Sequence, residues 1–463
     1  MQKVKISFIE PLGNEANVFD NYMKLPLMGS LYLATILHNN GYDVEILNEN
    51  LLKRKISPFE INADIVAISS LTINSERSKY LAKEIKKLNP DTKIIIGGIH
   101  PSLLPDEFIN SADIIVTGEA ENIIIDIVNG NIQDKIVNGG KIENLDELPL
   151  INYSLLKNSK NMNIFPVMTS RGCPFDCNFC TVTKIFGKKF RTQSVPRIIA
   201  EIKNALEYFN TRDIFFYDDN LTADRKRINE LMDFLINEKL NITWTAQVRS
   251  DIAKEPELLA KMFKSGCERV YIGFESINDE VLRSYHKNQT RNDIENAIKI
   301  IHENGIKIHG MFMFGEDNDK LDNIIETVDF AIKFDVDTVQ FMILTPFPGT
   351  KIYEKINNEG RLLHTNWNYY DGMHVVFRPK SMTPFNLQDE VIKSYRRFYS
   401  FEKTIIETLY LWINIFYDAL LWNFKNAYKY DISNIMIKAG ARFIINEYLN
   451  LNKYYLDYLQ NKD

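Results

Sequence analysis

The amino-acid sequence predicts an α/β protein in three parts: an N-terminal doubly wound domain, a partial (β/α)6 barrel and an α-helical C-terminal region. Three observations lead to this. Short, nearly continuous Ile/Val runs alternate with helical stretches over the first 140 residues, the pattern of parallel strands covered on both faces. From residue 163 a second β/α series contains six strand-like runs, too few for an eight-unit barrel. From Thr383 onward the pattern is helical and rich in Tyr, Trp and Phe.

The first domain, 1–140, opens with the strand "KVKISFIE". In "MGSLYLATILHNNGYDVEIL" a helix ends at Asn40-Gly41 and a second strand begins. "ADIVAISSL" leads into the helix "SERSKYLAKEIKKLNP", and "TKIIIGG" and "ADIIVTGE" follow. Ligands of such folds bind beyond the carboxyl ends of the strands. Residues 141–162 read as a linker. The barrel, 163–380, is expected from "NIFPVMTS", "RDIFFYDDN", "ITWTAQVRSD", "RVYIGFES", "IKIHGMFMFGE" and "DTVQFMIL". Polar residues at the ends of these runs fall where barrels keep their chemistry. Residues 381–463 form the helical region.

With 463 residues and a net charge of −6, the chain is not built around nucleic-acid binding. Its N-terminus lacks the apolar core and cleavage site of a secretory signal, which implies the cytoplasm. Disulfides are rare there, and a tight cysteine cluster reads as a metal site.

That cluster is "SRGCPFDCNFC", where Cys173, Cys177 and Cys180 follow a C-x3-C-x2-C spacing. Pro174, Asp176 and Asn178 mark a polar loop, which argues against chance core cysteines. A structural zinc site takes four ligands, and no fourth Cys or His follows at suitable spacing. Three thiolates suit a 4Fe–4S cluster with one iron left open for a ligand. Cys267, far downstream, reads as a small buried hydrophobe.

This spacing, on the loop after the first barrel strand and with Phe179 before the last Cys, resembles the radical S-adenosylmethionine (SAM) enzymes. The resemblance implies that the open iron chelates SAM, whose reductive cleavage yields a 5′-deoxyadenosyl radical. It also implies SAM contacts from Phe179, from Asp218, Asp219 and Asn220 after the second strand, and from Gln247, Arg249 and Glu275 after the third and fourth. The fifth run, "GMFMFGED", departs from the family's glycine spacing.

In the first domain there is no G-x-G-x-x-G after the first strand and no phosphate-binding G-x-x-x-x-G-K-[ST]. "SSL" at 69–71 and "GGIH" at 97–100 end two strands, and "TGEAEN" ends the next. Together they resemble the cobalamin-binding domain of the cobalamin-dependent branch of radical SAM enzymes. The resemblance implies a cobalamin site containing Ser69, Leu71, Thr72, Gly97, Gly98, His100, Gly118 and Glu119. The loop after the first strand has no His, which implies cobalamin held with its own base displaced and no protein imidazole in its place.

The expected reaction is radical methylation of an unactivated carbon, or of a phosphinate phosphorus, in a small-molecule or lipid-like substrate. An electron donor such as flavodoxin or ferredoxin would supply the cluster. A cobalamin-dependent cyclisation, rearrangement or carbon–carbon coupling remains open, as does a protein that only binds the cofactors. The stretch 404–459 contains a broad apolar helical face, which packs on the barrel or makes peripheral membrane contact.

Overall fold

The structure, a computed structural model, describes residues 3–14, 24–400 and 432–462, together with 412, 413 and 416. Its first sheet contains β1 (Lys5–Glu10), β2 (Asp43–Asn48), β3 (Ile65–Ser69), β4 (Lys93–Gly97), β5 (Ile114–Thr117) and β6 (Ile136–Asn138). The order is β2-β1-β3-β4-β5-β6, with every pair parallel. The Ile/Val runs are explained by burial on both faces. Ile6 and Phe8 pack with Leu31 and Leu37 of the helix Met28–Asn39. Ile9, Val66, Ile68, Ile94 and Ile96 pack with Leu81, Ala82 and Ile85 of the helix Ser75–Leu88. The order in which strands are added reverses between β1 and β3, which opens a crevice at their carboxyl ends.

The second sheet begins with β7 (Phe165–Val167). A two-stranded antiparallel ribbon follows, made of β8 (Ser170–Arg171) and β9 (Arg191–Thr192). Then come β10 (Asp213–Phe216), β11 (Thr243–Val248), β12 (Cys267–Glu275), β13 (Lys307–Phe314) and β14 (Thr338–Ile343). The parallel order β7-β10-β11-β12-β13-β14 is a six-stranded open barrel. Several of its helices start where side-chain caps satisfy their free N–H groups. Ser194 accepts from Arg197 N, Asp224 from Arg227 N, and Thr290 and Asp293 form a capping box.

An open barrel leaves a strand edge with unpaired backbone groups. Here the helix Pro384–Phe398 and the residue after it cover that edge. Phe341 N donates to the Tyr395 hydroxyl at 3.0 Å. Val339 N donates to the Tyr399 hydroxyl, which itself donates to Val339 O, both at 2.9 Å.

The stretch read as a linker is packed and not free-running. Leu145, Leu148, Ile151, Tyr153 and Leu156 are buried in the core that joins the two sheets. Asn152 N donates to Thr35 Oγ1, and Asn204 Nδ2 donates to Ile151 O, so this strap ties a helix of each half together. Cys267 begins β12 fully buried, at the end of the barrel opposite the cysteine loop. Burial pushes its thiol well up.

Most of the apolar stretch 404–428 lies outside the described residues. The helices Ile432–Leu451 and Lys453–Gln460 follow, and Ile444, Ile445, Tyr448, Tyr455 and Leu459 are buried in the same core. Among the described residues, no helix is long and apolar enough to cross a membrane.

These helices are locked to the barrel through His374. Its Nδ1 donates to Asp371 Oδ2 at 2.8 Å, and its Nε2 donates to Asn452 Oδ1 at 2.6 Å. Asn452 Nδ2 donates to Tyr448 O, so its amide oxygen must face the ring. Both ring nitrogens therefore donate, which is the hydrogen-bonding pattern of an imidazolium. Burial alone would lower the His374 pKa, but Asp371 and Asn452 raise it above the ordinary histidine value. Because the folded value is raised, this stabilisation is complete below the unfolded value of about 6.5 and is lost as pH climbs through the folded one. His374→Leu should destabilise the protein by about 3 kcal/mol or more at pH 6, since Asp371 is left buried without its cation. Thermal melts of both proteins between pH 6 and pH 9 should show that gap narrowing as pH rises.

Candidate active site

The cysteine loop is fixed before it reaches its thiols. β7 ends at Val167, and the fully buried Asp218 accepts from Thr169 N at 2.8 Å and from Ser170 N at 2.7 Å. It also accepts from the Thr169 hydroxyl, while Arg227 donates to Thr169 Oγ1 at 2.9 Å. Gly172 follows at φ +89°, where a Cβ would lie 2.6 Å from Lys189 O, so only glycine fits the turn. Three further contacts, from two helices, hold the loop. Asn178 Nδ2 donates to Ser284 O, Ile352 N donates to Asn178 O, and the Phe179 ring meets Tyr285 edge-on at 5.1 Å.

Cys173, Cys177 and Cys180 are half-buried and free. Burial pushes the Cys180 thiol up to about 12 and raises Cys173 as well. Bound iron would reverse that preference by stabilising the thiolates. Among the described residues, no three His, Cys, Asp or Glu side chains converge to hold a single metal ion. A 4Fe–4S cluster, in which each thiolate binds a different iron, would take the three half-buried thiols of this loop.

Four predicted SAM-site residues gather beside the loop. Asp219 and Gln247 line a cavity of 510 Å³ that the thiol loop adjoins. The Asp219 side chain is open to the cavity but has protein on most other sides. Burial, then the neighbouring Asp218, raise its carboxyl to about 7. The Arg249 guanidinium lies 3.8 Å over the Phe175 ring of the loop and donates to Lys287 O at 2.6 Å. Its buried Nε has no partner, which leaves one donor for a ligand. Glu275 ends β12 at φ +62° and pairs with Lys287 at 2.8 Å, both side chains 8% exposed. Asp218 touches the cavity, but its oxygens are occupied by two backbone N–H groups and the Thr169 hydroxyl. Asn220 is buried and is not on the cavity wall. Lys287, whose backbone and side chain link Arg249 to Glu275, had no distinguishing signal in the sequence.

The cavity runs between the carboxyl ends of both sheets. The first domain contributes Ser69, Leu71, Gly97, Gly98 and Gly118. A Cβ on Gly98, at φ +108°, would lie 2.7 Å from Ser70 O, so the floor there is bare backbone. Leu25, Leu27 and Met28 face the same space, and no described residue lining it is a histidine.

Thr72 and His100 stand elsewhere. His100 is fully buried behind the strand ends, 3.3 Å from Thr72 Oγ1 and 3.4 Å from Glu107 Oε2. The Trp367 indole donates to the same Glu107. His100 and Glu107 thus anchor the barrel segment around Trp367 to the first domain. Glu119 borders the cavity as part of a buried ion network. Arg171 donates to Glu119 at 2.8 Å and to Glu121 at 2.6 Å, and Arg191 also pairs with Glu119. β8 and β9, which flank the thiol loop, are joined in this way to the end of β5.

The radical SAM superfamily model matches residues 167–331, and the B12 binding domain model matches residues 20–128. An uncharacterized methyltransferase of Pyrococcus horikoshii is 30% identical over 415 residues, covering 83% of this chain and 90% of that protein. The chain belongs to the cobalamin-dependent radical SAM enzymes. Another relative is the bacteriochlorophyllide d C-12(1)-methyltransferase of Chlorobaculum tepidum, 28% identical over 84% of this chain and 86% of its own. The fold matches the cobalamin-dependent S-adenosylmethionine radical enzyme OxsB, with a TM-score of 0.70 at 15% identity, covering 100% of this chain and 81% of that one. The cofactors of this radical SAM enzyme are a 4Fe–4S cluster, SAM and cobalamin.

Gly98→Leu should block the strand-end floor and abolish cobalamin binding, read as loss of the corrinoid absorption, while iron content stays unchanged. In the unsubstituted protein, electron paramagnetic resonance of the cob(II)alamin form should show no nitrogen hyperfine splitting. A nitrogen signal would mean that a base or imidazole holds cobalt.

Proposed function

We propose that this enzyme transfers a methyl group to an unactivated carbon of a largely apolar small molecule. The observation that carries the proposal is one cavity that both sheets line. One wall is the bare strand ends of the first domain, and the other is the Asp219–Gln247 end of the barrel beside the thiols. When bound, the cluster and SAM supply a hydrogen-abstracting radical, and cobalamin carries the methyl group.

In this reading Cys173, Cys177 and Cys180 hold three irons and leave the fourth to SAM. Asp219 and Gln247 meet the amino-acid part of SAM, and the free Arg249 Nε offers a donor to its carboxylate. Ser69, Gly97 and Gly98 would admit the nucleotide tail of cobalamin, and Leu25 and Leu27 would offer it apolar contacts. Barrel residues Tyr271, Met311 and Met342 alternate with the outward Phe274, Phe312 and Phe341, and they are only partly covered. This inner face also carries His309 and Gln340, and with the Leu25, Leu27 and Met28 side of the cavity it suits a largely apolar substrate, as does the similarity to an enzyme that methylates a bacteriochlorophyllide. The cytoplasm, which keeps thiols reduced, is the fitting compartment.

Anaerobic incubation with SAM, a reductant and cell extract, followed by mass analysis, should reveal a product one methyl group heavier than its precursor. The triple variant Cys173→Ala/Cys177→Ala/Cys180→Ala should lose the cluster and form no 5′-deoxyadenosine, whereas Cys267→Ala should keep both. Full iron loading in the triple variant would falsify the assignment of the thiols.

A further inference from the structure

We infer that a lysine rim around the thiol loop is the docking surface for an acidic one-electron carrier protein. This rests on the cluster reading, because a buried 4Fe–4S centre that cleaves SAM must receive its electron from outside.

The rim is built from two segments of the loop region and two neighbours. Asp176, which lies within the loop directly before Cys177, pairs with Lys188 and with Lys351, each at 3.1 Å. These lysine side chains are 61% and 54% exposed. Lys189 pairs with Glu143 at 2.5 Å, both well exposed. The Lys141 ammonium lies against Gly187, 2.5 Å from where a Cβ would stand. Lys184 is exposed and, among the described residues, has no carboxylate partner.

Five ammonium groups thus surround two carboxylates, an excess of three positive charges on a chain whose net charge is −6. Such a local excess attracts an acidic partner, and its position beside the thiol loop distinguishes this rim from other lysine groups on the surface. The place is productive. A partner seated on Lys188 and Lys351 comes within about three residue lengths of the thiols, roughly 10 Å. One electron then leaves the carrier, which is oxidised by one unit, and reduces the cluster by one unit. No proton or leaving group moves in this step.

A second lysine group makes an internal control. Lys83, Lys86, Lys87 and Lys135 line a groove by Asp113, at the amino ends of β4 and β5. That is the end of the first sheet remote from the thiols, and a carrier held there could not serve them.

The probes are a flavodoxin and a 4Fe–4S ferredoxin, both acidic, titrated into the full-length protein at low and high salt. Binding should weaken at least tenfold in Lys184→Glu/Lys188→Glu/Lys189→Glu, and should weaken with salt in the unsubstituted protein. Lys83→Glu/Lys87→Glu should bind like the unsubstituted protein. SAM cleavage driven by the reduced carrier should fall at least tenfold in the rim variant, while cleavage driven by dithionite stays the same. The cluster-free triple cysteine variant should still bind the carriers, so this surface can be judged even if the cluster reading fails. The proposal is overturned by equal binding in the rim variant, by equal loss in the control variant, or by no carrier binding at all. Binding of the rim to anionic vesicles in place of the carriers would equally overturn it.

Discussion

Arg171 is where the two halves of this enzyme meet. It stands two residues before Cys173, and its guanidinium reaches across to Glu119 and Glu121 at the end of β5. Arg191, on the other strand of the ribbon, reaches the same Glu119. All four side chains are nearly inaccessible, so water cannot substitute for a missing partner. A buried ion network adds little net stability, because desolvation offsets the attraction, but it penalises every geometry that separates the partners. The relative placement of thiol loop and cobalamin-domain strand ends follows from that penalty.

The shared cavity depends on this alignment. Each sheet alone would present an open crevice at its carboxyl edge to solvent. Held face to face, the two edges line one shared space. The buried strap over residues 145–156 and the Trp367–Glu107–His100 contact brace the alignment from two other sides.

Adjacent residues of one chemical type acquire opposite tasks within this frame. Asp218 is fully buried and accepts from two backbone N–H groups and a hydroxyl, so it fixes the start of the thiol loop. Asp219 turns to the cavity without such donors, and its carboxyl rises to about 7. Both carboxylates lie just beyond β10 and touch the cavity, so the donors within reach of each, and not their position, set them apart.

The sequence by itself determined the architecture and the cofactor class. Strand runs buried on both faces need an unbroken Ile/Val composition, helix starts need capping side chains, and a thiol triad needs its spacing, all of which are local. Ser69, Gly97 and Gly98 were legible for the same reason, since a bare strand end is a property of a few consecutive residues. Only the tertiary structure decided which polar residues face the cavity. His100 and Glu119 sit in the same short segments as Gly98 and Gly118, yet one is buried behind Trp367 and the other is bound by two arginines from the barrel. Lys287, the edge-covering Tyr395 and Tyr399, and the ribbon of β8 and β9 carried no local signal either. Their roles come from partners far along the chain, and the spacing of residues in a sequence does not encode which distant group will arrive beside them.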